Sequence, residues 1–124
     1  MSRPTALVLD EPLSLWGGVD PTSGEIIDVH HPQRGANVSG RVLVMPAGRG
    51  SSSSASVLAE AVRAGTAPAA IVIGEPDLIL SIGSAVAEEL YGQRVPVVVL
   101  PPDRIGAIVD GQPVAERFIG ESFT

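Results

Sequence analysis

The chain has 124 residues, of which 44% are hydrophobic, and a formal net charge of −6 in which every basic residue is arginine. One domain is expected at this length, and its core must be aliphatic because aromatic residues make up only 3%. The acidic balance argues against binding to nucleic acid or an anionic membrane, which requires a basic patch. The absence of cysteine excludes disulfides, a thiol nucleophile and thiolate ligands for a metal.

No targeting or membrane segment is visible in the sequence. No stretch reaches the ~18–20 continuous apolar residues of a membrane span. The first residues, Met1–Pro4, lack the apolar centre of a signal peptide. The sequence therefore predicts a cytoplasmic protein.

The first part of the chain predicts one strand and a long loop. Thr5–Leu9 is a short apolar run that Asp10-Glu11-Pro12 ends. Residues 13–24 predict a loop by their density of Gly, Pro, Asp and Ser, and they contain the only tryptophan, Trp16. Trp16 either plugs one end of the core or belongs to a loop that lines a site or packs on a partner. Residues 25–29 predict a short strand or a loop edge.

Two adjacent histidines, His30 and His31, follow this segment. Adjacent side chains point in different directions, so one metal ion cannot easily use both rings. We expect hydrogen-bonded loop histidines here and no metal site.

The middle of the chain predicts a parallel βαβ unit. Arg41–Met45 and Ala69–Ile73 predict buried strands, because Val42–Met45 and all of the second run are apolar. Between them, a helix is predicted from about Ser54 to Ala64. Its apolar stripe is Val57, Leu58, Ala61 and Val62. The order strand, loop, helix, strand fits a right-handed βαβ connection.

The remaining residues predict one more helix, one more strand and a hairpin. Leu78–Tyr91 has a helical pattern, weakened by Gly83, and Val95–Leu100 predicts a buried strand. The apolar residues at helical spacing are Ile79, Ile82, Val86 and Leu90. Ile105–Val109, the Asp110-Gly111 turn and Pro113–Phe118 predict a hairpin with an edge strand.

Together these elements predict a mixed α/β fold with about six or seven strands and two helices. We expect a single domain over residues 1–124, built as a compact β-rich barrel or sandwich that contains a βαβ element. The helices are expected on one side of it.

The segment Ala47–Ser54 joins the second predicted strand to the first predicted helix. Gly48 and Gly50 permit positive φ and a close approach of the backbone to a ligand. The serines place hydroxyls at a helix N-terminus, where free N–H groups and the helix dipole favour anions. Ser52 or Ser53 alternatively only caps the helix. Four consecutive serines exceed what one cap needs, which favours a ligand-facing loop.

The pattern of this loop excludes several common sites. A phosphate-binding P-loop requires a lysine, and a dinucleotide fingerprint requires a third glycine that is missing here. A Ser-His-Asp hydrolase requires a histidine near the serine, and the spacing of His30 and His31 gives no support for one. A loop with hydroxyls and Arg49 suits a carboxylate or phosphate group. A serine would act as a general base only if the site strongly favoured its alkoxide.

Several segments of the sequence resemble, in one colinear order, the small swivelling subunit of the aconitase X family. They are Pro12–Asp20, Thr22–Gly24, Asp28–Pro32, Gly40–Ser52, Ala67–Ile71 and Glu75–Asp77, within residues 8–110. The resemblance implies a swivelling β/β/α domain of a hydro-lyase. This domain closes over a larger, cysteine-bearing catalytic subunit that carries an iron–sulfur cluster or iron, and it binds no metal itself. Family activities include dehydration of mevalonate 5-phosphate and of cis-3-hydroxy-L-proline.

The resemblance also implies roles for loop residues. In aconitase-type enzymes, a Gly-Ser-Ser-Arg loop supplies the proton-abstracting serine and groups that hold a substrate carboxylate. Onto this chain it places Ser51 as the catalytic base and Ser52 as a substrate contact, with Gly50 beside them. Ser53 stands where the family loop has arginine, which argues against a tricarboxylate substrate. Arg49 is the candidate to replace the lost charge.

A second departure from the family concerns the first strand. Family small subunits usually carry an extra strand before the Leu7–Asp10 segment, and this chain starts almost at that segment. We therefore expect one open edge, or an edge supplied by the partner.

Two functions remain in competition at this stage. One is a dehydratase half-subunit, inert without its partner, and the other is a stand-alone swivelling domain that binds a small anion or a protein. Phosphohistidine swivelling domains share the architecture but need a loop histidine where this chain has serines. The resemblance favours the dehydratase, with a hydroxy acid such as cis-3-hydroxy-L-proline preferred over mevalonate 5-phosphate as the substrate.

Overall fold

Alternating strands and helices build the protein, described here from a computed structural model over residues 3–49 and 52–114. Within these residues the strands are β1 Ala6–Val8, β2 Val42–Met45, β3 Ala70–Ile73 and β4 Val97–Val99. The helices are α1 Leu15–Gly18, α2 Ser54–Ala64, α3 Leu78–Tyr91 and α4 Pro102–Gly106. The two long helices have the bounds that the sequence predicts, and the mixed α/β class is confirmed.

The strands form one parallel sheet in chain order, β1-β2-β3-β4. The register aligns Val8 with Val44, Val44 with Val72 and Val72 with Val98. Each strand is short and β2 and β3 are completely buried, as uniformly apolar runs in a parallel sheet should be. The predicted βαβ unit is therefore present as β2-α2-β3, and β3-α3-β4 repeats it.

The two faces of the sheet have separate apolar clusters, because successive side chains of a strand point to opposite faces. The larger cluster joins Leu43, Met45, Ile71 and Ile73 of the sheet to α2, α3 and the 13–38 loops. The smaller cluster joins Val42, Val44, Ala70, Val72 and Val98 to Leu100, Ile105, Ile108 and Val114. Both long helices therefore lie on one face, and α4 with the segment after it lies on the other.

The predicted hairpin at the end of the chain is wrong in its first strand. Residues 102–106 form α4, which has Pro102 in its first turn and Asp103 beside it. Proline fits the first turn because its missing N–H would be unsatisfied there, and a carboxylate favours a helix N-terminus. The Asp110-Gly111 turn is present, with Gly111 at φ +83°. Residues 115–118 of the predicted second strand lie outside the described residues.

The expectation of an open edge beside β1 is also wrong. Ala6 donates its N–H to Gln112 O at 2.8 Å and accepts from Gly111 N–H at 2.8 Å. Thr5 and Pro113 form an antiparallel bridge, and Val8 N–H donates to Asp110 Oδ1 at 2.9 Å. The turn that was predicted to close a hairpin instead covers the outer edge of β1.

Within residues 3–49 and 52–114, four strands form, fewer than the six or seven that the sequence predicts. Residues 25–29 make only single bridges, such as Val19 with Ile26, so the loop-edge interpretation is confirmed over the strand. Among the described residues, no helix is both long and apolar enough to cross a membrane.

Candidate functional site

The segment Ala47–Ser54, named here the serine loop, connects the carboxyl end of β2 to α2, as predicted. Arg49, Ser52 and Ser53 are exposed. Gly50 and Ser51 lie outside the described residues, so the catalytic role predicted for Ser51 stays a prediction. In parallel sheets, ligands bind at the carboxyl ends of strands, and this loop occupies that position.

Gly48 is glycine for a reason that the sequence did not reveal. It is not among the glycines with positive φ in the described residues, so the expected left-handed conformation is wrong there. A Cβ atom on Gly48 would instead collide with Oδ2 of Asp77. The backbone at Gly48 thus lies close to a carboxylate of the same chain. This contact joins the loop after β2 to Asp77 in the connection between β3 and α3.

Asp77 is the site residue that sequence reasoning missed. Its Oδ1 accepts a hydrogen bond from Leu80 N–H at 3.0 Å, which caps α3, while its Oδ2 faces Gly48. A cavity of about 10 Å³, the size of one water molecule, lies between Asp77, Arg49 and Ser54. The sequence did hold one signal for Asp77, its position after β3. The carboxyl ends of adjacent parallel strands meet at one sheet edge, so residues after β2 and after β3 come close together.

The Trp16 loop is attached to the start of α2. The backbone N–H of Trp16 donates to Ser54 Oγ at 3.3 Å, and the hydroxyls of Ser14 and Ser54 lie 3.5 Å apart. Leu13 forms a parallel bridge with Gly48 on the other side of the loop. The Trp16 side chain is 59% exposed, so the interpretation as a core plug is wrong. An exposed indole next to the serine loop fits the other interpretation, a loop that lines a site or packs on a partner.

The serines divide their roles at the start of α2. Ser54 is 3% exposed and directs its hydroxyl to the Trp16 loop. Ser53 is the N-cap by backbone position, yet its side chain makes no capping hydrogen bond to α2 in the described part of the chain. The interpretation of Ser53 as a side-chain cap is therefore wrong.

Of the two histidines, His31 has partners for both ring nitrogens. His31 is 5% exposed; its Nδ1 accepts from Gln33 N–H at 3.0 Å, and its Nε2 lies 3.1 Å from Glu11 O. This pattern assigns the proton to Nε2, which donates to the carbonyl. The prediction of a hydrogen-bonded loop histidine is confirmed for His31. Across residues 3–49 and 52–114, no three His, Asp or Glu side chains gather as a metal site.

Comparison with known proteins places this geometry in one family. A family model described as the aconitase X swivel domain matches residues 2–117. Cis-3-hydroxy-L-proline dehydratase of Pseudomonas aeruginosa is 54% identical over 88 residues, which are 71% of this chain and only 15% of that protein. The phosphomevalonate dehydratase small subunit of Methanothermobacter thermautotrophicus is 37% identical over 113 residues, covering 90% of this chain and 82% of that one.

The fold comparison agrees with the sequence comparison. The crystal structure of Thermococcus kodakaraensis aconitase X superimposes with a TM-score of 0.77 at 29% identity, covering 89% of this chain and 78% of that one. This chain and that solved structure therefore share the same fold.

Proposed function

This chain belongs to the aconitase X swivel-domain family, and from that premise we propose that it is the small part of a dehydratase. It acts in the cytoplasm as one half of a hydro-lyase, active only when it closes over a larger subunit. Ser51 removes a proton from the substrate carbon, and Ser52, Ser53, Arg49 and Gly50 hold the substrate. Loss of that proton and of a hydroxyl, which leaves as water, forms the carbon–carbon double bond.

The observation that supports this proposal most is the position of the α2 N-terminus, directly after the serine loop. An eleven-residue helix begins directly after the serine loop, so the N-terminus of this helix lies at the loop. Arg49 is exposed at the same loop. Backbone donors, the helix dipole and a guanidinium together favour an anion, which is the condition for a serine alkoxide or a bound carboxylate.

The preferred substrate is a small hydroxy acid such as cis-3-hydroxy-L-proline. Its carboxylate suits Arg49 and the donors of α2, and its ring ammonium is compatible with the Asp77 carboxylate next to Gly48. The phosphate of mevalonate 5-phosphate would add negative charge near that carboxylate, at a cost in binding. Over alignments of similar length, the identity is 54% to the hydroxyproline dehydratase and 46% to the phosphomevalonate dehydratase small subunit of Methanopyrus kandleri, which supports the same choice.

The iron–sulfur cluster or iron of the family is proposed to lie in the larger subunit. This chain contains no cysteine. Its described residues also bring no three His, Asp or Glu side chains together. The donor set of residues 3–49 and 52–114 therefore does not fit such a group.

The test uses the native complex, purified under anaerobic conditions through a tag on this chain. The eluate is assayed for water elimination from cis-3-hydroxy-L-proline and from mevalonate 5-phosphate. Ser51→Ala should abolish turnover with the complex intact, whereas Ser81→Ala, an exposed serine on α3, should leave turnover unchanged.

Two results would contradict the proposal. Full turnover by the Ser51→Ala complex would remove the assigned base. A monomer without partner or activity would instead favour a stand-alone domain that binds a small anion or a protein.

A further inference from the structure

We propose that the exposed apolar row of α3 is the surface on which the larger subunit docks, an inference that rests on the proposed function. The row, named here the α3 ridge, consists of Leu78, Ile82, Val86 and Leu90. No residue of the serine loop belongs to it. The α3 ridge is therefore a recognition surface that is separate from the catalytic loop.

The α3 ridge is unusually exposed for aliphatic side chains. Leu78 is 74% exposed, Ile82 48%, Val86 40% and Leu90 63%. The face of α3 that packs inward holds Leu80, Gly83, Ser84 and Ala87. Isolated exposed leucines are common, but a continuous apolar row marks an interaction surface.

The shape of this surface suits another helix. The ridge residues are four positions apart, so they form one i, i+4 row about 18 Å long at 1.5 Å per residue. A groove of about 290 Å³ lies beside the row, between α2 and α3, and on α2 three small side chains and one glutamate line it. The lining residues are Ala55, Ser56, Ala59, Glu60, Val86, Leu90 and Tyr91. A ridge beside a groove is the arrangement that receives the ridge of a second helix.

The position of the ridge identifies the larger subunit as the occupant. Leu78 directly follows Asp77, whose carboxylate touches Gly48 of the serine loop. A body that closes over the loop therefore meets the near end of the ridge. The matched part of the hydroxyproline dehydratase is only 15% of that protein, so a much larger body accompanies this domain there.

Charge argues against a second copy of this chain on the ridge. Helix α3 carries Glu88 and Glu89 and no basic residue, and both glutamates are exposed. Two α3 helices that crossed near Leu90 would bring four carboxylates close to each other, which costs free energy. The fitting partner presents an apolar patch with a basic rim.

The test measures binding of the larger subunit, identified by its sequence in the native complex, to four forms of this chain: wild type, a ridge variant, a control variant and Ser51→Ala. The ridge variant is the double substitution Ile82→Glu and Leu90→Glu. The control variant is Val29→Glu and Val109→Glu, because these valines are 62% and 65% exposed away from α3. Circular dichroism and thermal melting confirm that each variant is folded, since all four positions are exposed.

The ridge variant should bind with a Kd raised about tenfold or more, and the control should stay within about twofold of wild type. Excess ridge variant should restore turnover, because the catalytic loop is intact. Ser51→Ala should bind like wild type and never turn over. These three results together separate docking from catalysis.

The failures of the two proposals are distinguishable. If wild type and the ridge variant bind the larger subunit equally well, the ridge proposal is overturned and the dehydratase proposal stands. If wild type binds no larger subunit, both are overturned. A wild-type dimer in light scattering that the ridge variant loses would reassign the ridge to self-association.

Discussion

Helices α2 and α3 lie on the same face of the sheet, yet they use their apolar residues in opposite ways. In α2, Leu58, Ala61 and Val62 face the core, and Val57 is partly buried against it. In α3, Ile82, Val86 and Leu90 are exposed, and the buried face includes Gly83, Ser84 and Ala87. The apolar stripe of α2 predicts its buried face correctly, and most of the stripe of α3 does not.

The difference comes from how closely the two helices approach. A Cβ atom on Gly83 would lie 3.0 Å from Ala55 Cα and 3.1 Å from Ala55 O. Only small residues permit backbones to come this close, so α3 presents its small face to α2. Ser84 also donates its hydroxyl to Val95 O, which satisfies a polar group within the packed face. Of the large apolar residues of α3, Leu80 is buried, whereas Leu78, Ile82, Val86 and Leu90 are exposed.

The largest expected effect comes from truncating one leucine in each helix. Leu58→Ala in α2 removes a side chain that is 1% exposed, and it should lower the free energy of unfolding by about 2–5 kcal/mol. Leu90→Ala in α3, where the side chain is 63% exposed, should change it by less than about 0.5 kcal/mol. Urea unfolding of the isolated chain measures both, and equal losses would remove the contrast between the helices.

The next effect tests the close packing of the helices. Gly83→Leu forces a side chain against the backbone of Ala55, and it should cost about 1–3 kcal/mol despite the better helix propensity of leucine. Ala85→Leu is the matched control, because Ala85 is exposed on the same helix. Thermal unfolding should separate the two variants, and a Gly83→Leu protein as stable as wild type would contradict the packing.

A smaller effect is expected at the helix N-termini. Asp77→Ala removes the side chain that caps α3 and should cost about 1 kcal/mol, whereas Asp77→Asn retains a capping oxygen and most of the stability. Denaturant titration compares these variants. Equal destabilisation by both substitutions would show that the carboxylate charge matters more than the cap.

The smallest effect concerns the surface of α2. The Arg63 guanidinium, hydrogen-bonded to Glu60, holds the pKa of that carboxyl below its usual value. A carboxyl with a lowered folded pKa stabilises the fold above its unfolded pKa, and this contribution is lost as the pH falls through the folded pKa.

Arg63→Ala should therefore return the pKa of Glu60 towards its ordinary value in an NMR titration. Unfolding at neutral pH should hardly change, because solvent screens this exposed pair. An unchanged pKa for Glu60 would show that the ion pair is not formed in solution.

The candidate site was only partly predictable. The position of the serine loop between β2 and α2 followed from hydrophobic runs and glycine chemistry. The role of Asp77 did not follow, because its contact with Gly48 joins residues that are 29 positions apart in the sequence. The attachment of the Trp16 loop through Ser54 likewise depends on a contact between distant segments.

The sequence by itself determined the long helices, the buried strands β2 and β3 and the βαβ order, because those depend on local periodicity and on residues such as glycine and proline. The prediction of a buried strand over Val95–Leu100 is wrong at Val99, which is 46% exposed on the edge strand β4. Only the tertiary structure decided which face of α3 is buried, that Gly111 covers the edge of β1, and that Asp77 meets the serine loop. These features depend on the distance between packed backbones, which a hydrophobic pattern along one chain does not contain.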